Sequence, residues 1–205
     1  LVGSEMCIRD SRMTSFLGRA NYNYADRYYL GLSYRTDGSS RLARENRWGS
    51  FWSVSGAWRF IDESFLNPVK NVLTDGKLRV SYGVNGTQPS DYYAYMNLYK
   101  YGVIYNGQSG MSIVGIANPD LKWEKNKTWN IGLDLSFIDR ISVTFDYYQR
   151  KTSDLIYDLP VSQVGGYYDG NYGYTTPQNI GSLKNSGFEL TITSTNFRNK
   201  DFTWT

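Results

Sequence analysis

Residues 128–148 read TWNIGLDLSFIDRISVTFDYY, and apolar and polar side chains alternate through both halves of this stretch. Because successive side chains of a β-strand point to opposite faces of the sheet, the alternation indicates two strands that each have one apolar face. The two runs are separated by Ile138, Asp139 and Arg140, a length typical of a tight hairpin turn. The stretch therefore predicts an antiparallel hairpin with one apolar and one polar face.

The same period-two alternation recurs along most of the chain. The other alternating runs lie at 16–24, 28–35, 52–58, 78–84, 187–193 and 202–204. A second tight turn is expected at Ala25, Asp26 and Arg27, between the first two of these runs. With the two halves of the quoted hairpin there are about eight strand-sized runs. The sequence therefore predicts an all-β chain built as an antiparallel sheet.

The predicted connections alternate in length along the chain. The short ones lie at 25–27, 138–140 and 196–201, a medium one lies at 60–76, and the long ones lie at 36–48, 85–121 and 153–182. Outer-membrane barrels have short periplasmic turns and long extracellular loops, so every second connection is long. A soluble β-sandwich has its loops clustered at both ends without this regular alternation. The loop pattern favours a membrane barrel.

One face of each predicted strand is apolar, with aromatic residues near the strand ends, and the other face is polar. A membrane barrel uses such faces for lipid and for a wet lumen, but a soluble antiparallel sheet shows the same alternation, so this feature alone leaves both architectures open. The charged residues of the polar face, which a barrel would direct to its lumen, are Arg19, Arg35, Arg79, Asp134, Asp146 and Glu189.

The composition excludes several classes of function. None of the 205 residues is histidine, which removes the commonest general base and metal ligand. The single cysteine, Cys7, can form neither an intrachain disulfide nor a thiolate zinc site. The net charge of +3 comes from scattered residues, so no nucleic-acid partner is expected. A mean hydropathy of −0.51 argues against an apolar membrane-spanning helix. We expect no enzyme activity, no cofactor and no metal site.

Several further runs occur in a fixed order along the chain. They are GRANYNYADRYYL, RTDGSSR, NRWGSFWSVSGAWR, KLRVSYGVNG, NPDLKWEKNKTWNIGLDL, DYYQRKTSDLI and NIGSLKNSGFEL. As an ordered set, over residues 12–205, they resemble the C-terminal barrel region of SusC/RagA-type TonB-dependent outer-membrane transporters. The resemblance implies a transmembrane β-barrel of about 22 strands with a plug in its lumen. This chain would be a partial antiparallel barrel, an open curved sheet with long extracellular loops.

The resemblance also implies a function and a set of partners. Such transporters import oligosaccharides, or peptides, across the outer membrane together with a surface lipoprotein of the SusD type, and TonB supplies energy through an N-terminal region. Residues 12–205 would then be barrel wall in contact with outer-membrane lipid, without the plug, the TonB box or the closing strands. The charges of the polar face would pair across strands or with the plug. Two alternatives stay open: a passive porin or adhesin-type outer-membrane barrel, and a secreted carbohydrate-binding β-sandwich.

The predicted long loops are rich in tyrosine, whose flat ring and hydroxyl group suit contacts with sugars. The candidates for ligand contact are Tyr92, Tyr93, Tyr95, Tyr101, Tyr167 and Tyr168. The alternative is that these rings pack small cores inside the loops and keep their hydroxyl groups in water.

Two loop motifs carry narrower expectations. The run DGSSR at residues 37–41 is expected to be a loop-organising turn in which Arg41 pairs with a nearby carboxylate, the alternative being a polar contact to ligand or plug. Trp123, at the end of the longest predicted loop, is expected at the outer membrane interface, where aromatic residues form girdles. The alternative for Trp123 is stacking on a sugar.

The first residues, LVGSEMCIRDS at positions 1–11, show neither alternation nor turn residues. They resemble a translated sequencing adapter, so we expect this segment to be non-native. A genuine, divergent loop segment is the alternative. In the first case Cys7 does not belong to the protein, and the missing signal peptide is no argument about localisation.

Overall fold

The computed structural model describes residues 10–162, 164, 174–198 and 203–204. The strands run over Met13–Tyr24 (β1), Tyr28–Ser39 (β2), Trp48–Trp58 (β3), Leu73–Thr87 (β4), Leu98–Tyr105 (β5), Gln108–Gly115 (β6), Glu124–Phe137 (β7), Ile141–Ser153 (β8), Ile156–Pro160 (β9), Thr175–Asn179 (β10), Ser182–Ser194 (β11), Phe197–Arg198 (β12) and Thr203–Trp204 (β13). Two short 3-10 helices, Phe60–Asp62 and Ser64–Val69, lie between β3 and β4.

Seven of these strands form one antiparallel sheet in the order β1-β2-β3-β4-β7-β8-β11. In the part of the chain that the structure describes, β1 and β11 are the two edges, so the sheet is open. The predicted all-β fold of a partial antiparallel barrel is confirmed. Within the described ranges no helix is long and apolar enough to cross a membrane.

The hairpin that the sequence predicted at 128–148 is present, with Phe137 paired to Ile141 across the turn. The Arg140 N–H donates to the Phe137 carbonyl oxygen at 3.0 Å. Ile138 and Asp139 have φ angles of 51° and 53°, the left-handed values that a type I′ turn requires. Such values are uncommon for a β-branched residue such as isoleucine, so the turn is determined by the strands it joins and not by its own preference.

The first hairpin repeats this geometry at the same end of the sheet. Ala25 and Asp26 both have a φ of 54°, and the Arg27 N–H donates to the Tyr24 carbonyl oxygen at 3.1 Å. The β3–β4 connection also lies at this end, because the strands alternate in direction. The connections 40–47, 88–123 and 154–181 lie at the opposite end, as the alternation of loop lengths predicted.

Two of the long connections contain strands of their own, which the sequence prediction treated as loop. The β5–β6 hairpin lies within the β4–β7 connection, and the β9–β10 hairpin lies within the β8–β11 connection. Each pairs only within its own two-stranded sheet among the described residues. A local hairpin satisfies the backbone groups of a long loop without any partner in the main sheet. Sequence alternation in these runs is interrupted by Gly102 and by bulges, so it gave no clear signal.

The strand register separates the two faces of the main sheet. Residues that pair directly lie on the same face, so Leu32, Val54 and Tyr82 form one apolar row across β2, β3 and β4. This apolar face stays open: Leu32 is 47% exposed and Phe188 is 74% exposed. An exposed apolar surface of this extent marks an interface with lipid or protein. Because these side chains stay exposed, no described layer packs on this face as the second sheet of a β-sandwich would.

The main cluster of buried apolar residues lies at the long-loop end, on the polar side of the sheet. Leu42, Phe51, Leu121 and Trp123 form it, and all four are less than 10% exposed. Phe51 lies on the polar face because it pairs with Arg35. The expected position of Trp123 at the membrane interface is therefore wrong. The Trp123 ring packs edge-on against Phe51, with 5.5 Å between centroids. The ring is buried there because Leu42 and Leu121, from two of the long connections, pack in the same cluster.

Candidate functional site

The polar face brings together the charged residues that the sequence singled out. One row of directly paired residues crosses the sheet from Asn23 through Tyr29, Ala57, Arg79, Gly132 and Asp146 to Glu189. Asp134 is two residues from Gly132 on β7, Arg19 pairs directly with Ser33, and Arg35 is two residues from Ser33 on β2. These three charges therefore lie on the same face. All six predicted charges share one face of the sheet, and their assignment to a lumen stays a prediction.

Three of the six charges form one network at the centre of the face. The Arg79 guanidinium donates from Nε to Asp134 Oδ2 at 2.7 Å and from Nη2 to Asp134 Oδ1 at 3.0 Å. The same Nη2 also donates to Asp146 Oδ1 at 3.1 Å. Thr144 donates a further hydrogen bond to Asp134 at 3.1 Å. The network links β4, β7 and β8, and the two-point contact to Asp134 fixes the guanidinium plane.

Gly132 leaves the space that this network occupies. It lies on β7, directly between Arg79 on β4 and Asp146 on β8. A Cβ atom at this position would lie 2.7 Å from Arg79 Cζ and closer still to Asp146 Oδ1. The glycine therefore leaves room for the guanidinium to cross the strand, and a side chain here would displace the ends of the Arg79 and Asp146 side chains.

A shallow trough runs beside the network, with a volume of about 490 Å³. Its floor is a row of three small residues, Gly31, Ser55 and Ser81. The amide side chains of Asn21 and Asn130 lie at the two ends of this row. Hydroxyl and amide groups both donate and accept hydrogen bonds. The trough can therefore hold an extended polar segment, whether it belongs to another part of the protein or to a ligand.

The other predicted charges of the face behave differently from one another. Arg35 donates from Nε to Asp37 Oδ1 at 2.6 Å, and Asp37 is almost fully buried. Arg19 and Glu189 have no ion-pair partner among the residues that the structure describes. These two charges are available to a group outside the described sheet.

The 37–41 motif lies at the long-loop end, but not as the sequence suggested, because residues 37–39 still belong to β2 and the turn begins only at Ser40. Arg41 does not pair with a carboxylate within the described residues: its Nη1 donates to the carbonyl oxygens of Pro89 and Ser90 at 3.0 and 2.8 Å. Its guanidinium also lies 4.3 Å from the centre of the Tyr92 ring. The expected carboxylate partner was wrong because the nearest acceptors belong to the backbone of the next long connection, which sequence spacing does not reveal.

Asparagine side chains connect the three long connections into one layer. Asn46 donates to the Pro119 carbonyl oxygen at 3.3 Å, and Asn118 donates to the Pro177 carbonyl oxygen at 2.6 Å. Asn179 donates to the carbonyl oxygens of Lys122 and Asp154 at 2.9 and 2.8 Å. Sequence reasoning missed Asn46 and Asn179. Asparagine is a common local backbone partner in turns, but its residue type alone does not identify a partner more than 50 positions away.

The layer contains a cleft of about 370 Å³ between the 91–98 segment and the β9–β10 hairpin. Two of the predicted ligand-contact residues, Tyr92 and Tyr93, line it. Sequence reasoning missed the other polar and apolar residues of its wall, among them Asp91, Met96 and Asp158. The cleft thus combines aromatic, apolar and acidic groups.

The remaining tyrosines have different positions. Tyr95 and Tyr101 do not belong to the cleft lining, and the Tyr101 side chain is 78% exposed. Tyr167 and Tyr168 lie outside the described residues. In the described ranges no three acidic, histidine or cysteine side chains come together as a metal site would require.

Comparison with known proteins agrees with this architecture. A family model described as TonB dependent receptor-like, beta-barrel, matches residues 8–205. The TonB-dependent receptor SusC of Bacteroides thetaiotaomicron is 40% identical over an alignment of 203 residues, which covers 94% of this chain and 19% of SusC. The TonB-dependent receptor P3 of Formosa agariphila is 36% identical over 96% of this chain and 19% of its own length.

Solved structures show the same likeness. A structure of the RagAB peptide transporter superimposes with a TM-score of 0.82 at 34% identity, over 94% of this chain and 21% of the other. The siderophore receptor PirA of Pseudomonas aeruginosa shares the fold, with a TM-score of 0.60 at 13% identity. The superposition covers 88% of this chain and 30% of the PirA chain. The chain spans about a fifth of the length of the relatives named above. It is part of an outer-membrane β-barrel, and it belongs to the β-barrel family of TonB-dependent receptors.

Proposed function

We propose that the chain supplies part of the barrel wall of a TonB-driven outer-membrane importer, and that the whole protein transports a solute and does not catalyse a reaction. The observation that carries the proposal is the family match over residues 8–205 together with the two unlike faces of the sheet. The apolar face suits lipid. The polar face has its trough, and its Arg19 and Glu189 form no ion pair among the described residues, so it suits a plug and a passing solute.

The proposal also says which parts of the whole protein this chain contains. Residues 12–205 form wall and loops, and the plug, the TonB box and the remaining strands lie elsewhere in the parent protein. Residues 1–11 are proposed to be adapter-derived, although the family match begins at residue 8. Resequencing the locus separates the two origins: a different DNA sequence ahead of codon 12 supports the adapter, and the same sequence in independent DNA overturns it.

The proposed solute is an oligosaccharide or a peptide, and the proposed partner is a surface lipoprotein of the SusD type. Relatives support both choices, because the chain is similar to SusC and to a transporter described as importing peptides. Tyr92 and Tyr93 in the loop cleft suit either class of solute. Asp91 and Asp158 favour a cationic group, which peptides can carry and neutral oligosaccharides lack.

The test uses the full-length protein expressed with its neighbouring lipoprotein in cells that contain or lack TonB. Uptake is measured with a defined peptide mixture and with a set of neutral oligosaccharides. The proposal expects uptake of one class that is lost without TonB. Uptake that persists without TonB would establish the passive porin alternative.

Solute binding to the same full-length protein tests the cleft. Tyr92→Ala, Tyr93→Ala and Asp158→Asn are compared with Tyr101→Ala, an exposed tyrosine outside the lining. We expect the three lining variants to weaken solute binding about tenfold, a loss of about 1.4 kcal/mol, with the control unchanged. Equal binding by all four proteins would show that the cleft is not the solute site, and it would not contradict the proposal that the protein is an importer.

A further inference from the structure

The connection between β3 and β4 folds onto the apolar side of the sheet. The Phe60 ring packs edge-on against Trp58, with 5.9 Å between centroids. Phe60 also covers Gly76, where a Cβ atom would lie 2.7 Å from its Cζ atom. Trp58 pairs with Tyr28 and Leu78, which belong to the apolar face. The first 3-10 helix, which begins at Phe60, therefore lies against the apolar side of the sheet.

One carboxylate holds this connection in place. Tyr28 donates its hydroxyl hydrogen to Glu63 Oε1 at 2.5 Å, and Trp58 donates from Nε1 to the same oxygen at 3.2 Å. Arg27 Nη1 lies 3.9 Å from Glu63 Oε2. The Glu63 side chain is only 18% exposed. These two hydrogen bonds lower the pKa of the Glu63 carboxyl. They also satisfy the polar atoms of Tyr28 and Trp58 at the edge of the apolar face.

Beyond this contact the connection presents apolar side chains outward. Phe65 is 67% exposed, Val69 43% and Val72 54%. Ile138, 61% exposed, belongs to the neighbouring turn, and its N–H donates to the Val72 carbonyl oxygen at 2.9 Å. The β7–β8 turn and the connection thus adjoin each other at the short-turn end of the sheet.

Two features indicate lipid as the occupant of this surface. It adjoins the lipid-facing surface of the strands, which continues through Trp58 and Tyr28. Tyrosine and tryptophan with satisfied polar tips are the residues that line the boundary between acyl chains and headgroups.

We propose that residues 60–72, together with Ile138, form an interfacial anchor that inserts Phe65, Val69 and Val72 into the headgroup boundary of the periplasmic leaflet. The leaflet follows from the position at the short-turn end, which faces the periplasm in outer-membrane barrels. The anchor sets the depth of the wall in the membrane. It does not depend on which solute the parent protein carries.

The test places single cysteines, each carrying a nitroxide spin label, in a cysteine-free background of the full-length protein in phosphatidylglycerol and phosphatidylcholine vesicles. The label at position 65 is compared with labels at Phe188, an exposed phenylalanine of the apolar face, and at Tyr101, exposed at the long-loop end. Collision with oxygen reports lipid, and collision with a water-soluble nickel chelate reports water. The anchor predicts that the Phe65 label follows Phe188 in favouring oxygen, at a shallower depth.

Two results would overturn the proposal. One is a Phe65 label that collides with the nickel chelate as strongly as the Tyr101 label does. The other is a label that neither reagent reaches, which would mean that protein covers the site. A second comparison keeps the label at position 65 and removes the hydrogen bonds that Glu63 accepts from Tyr28 and Trp58. Glu63→Ala should shift the label toward water. Glu63→Gln keeps one acceptor oxygen and should shift the label less. An unchanged label in Glu63→Ala would separate the anchor from the Glu63 contact and contradict the proposed geometry.

Discussion

Arg79 and Asp146 lie on strands that are not neighbours, yet the Arg79 guanidinium reaches the Asp146 carboxylate at 3.1 Å across Gly132 of the strand between them. The two charges are 67 positions apart in the sequence. Their contact joins three strands through side chains in addition to the backbone ladder. It exists because the middle strand has no side chain at that point.

Replacing Gly132 by alanine should break this contact. The added methyl group would push apart the flexible ends of the Arg79 and Asp146 side chains, and we expect a loss of about 1 kcal/mol in stability. The measurement is the temperature at which the full-length barrel loses its compact mobility in detergent gels. Gly18→Ala is the matched control, because a Cβ atom there meets nothing within 4 Å. Equal melting of both variants would contradict the role of Gly132.

Replacing Arg79 by methionine should leave Asp134 and Asp146 without their cation. The side chains involved are roughly one-third exposed, so water weakens the pair, and we expect a loss of about 1–2 kcal/mol. Arg44→Met is the control, because Arg44 is exposed in the 40–47 connection and has no ion-pair partner among the described residues, and it should change stability by less than about 0.5 kcal/mol. A loss of the same size in both variants would mean that the network adds nothing beyond surface charge.

Trp123 should be the residue on which the long-loop layer depends most. It is 5% exposed and donates from Nε1 to the Arg47 carbonyl oxygen at 3.0 Å. Trp123→Phe should cost about 1 kcal/mol through the lost hydrogen bond, and Trp123→Ala about 3–5 kcal/mol through the cavity. Limited proteolysis of the full-length protein should show faster cleavage within 88–123. Trp48→Phe, at a half-exposed tryptophan, should leave the cleavage rate unchanged.

The sequence predicted the two faces of the sheet because side-chain alternation is a local property of each strand. The position of Trp123 could not be predicted in this way, because it depends on where the 40–47 connection folds. Arg41 shows the same limit, since its acceptors are backbone carbonyl groups 48 and 49 positions away. The Arg79 network needed the register of three strands, and no single strand contains that information. The charged residues were therefore predictable as a set, but their pairing was not.

Glu63 should make the stability of the short-turn end depend on pH. The hydrogen bonds from Tyr28 and Trp58 lower the pKa of Glu63 in the folded protein below its ordinary value of 4.5. A lowered folded-state pKa means that the contact contributes stability above the unfolded-state pKa and loses that contribution as the pH falls through the folded-state pKa. Wild type should therefore melt at a higher temperature than Glu63→Gln at pH 7, and the difference should shrink as the pH falls below the ordinary value of 4.5. Thermal melts of both full-length proteins across this range provide the measurement. A difference that stayed constant with pH would show that the carboxylate charge does not act through these hydrogen bonds.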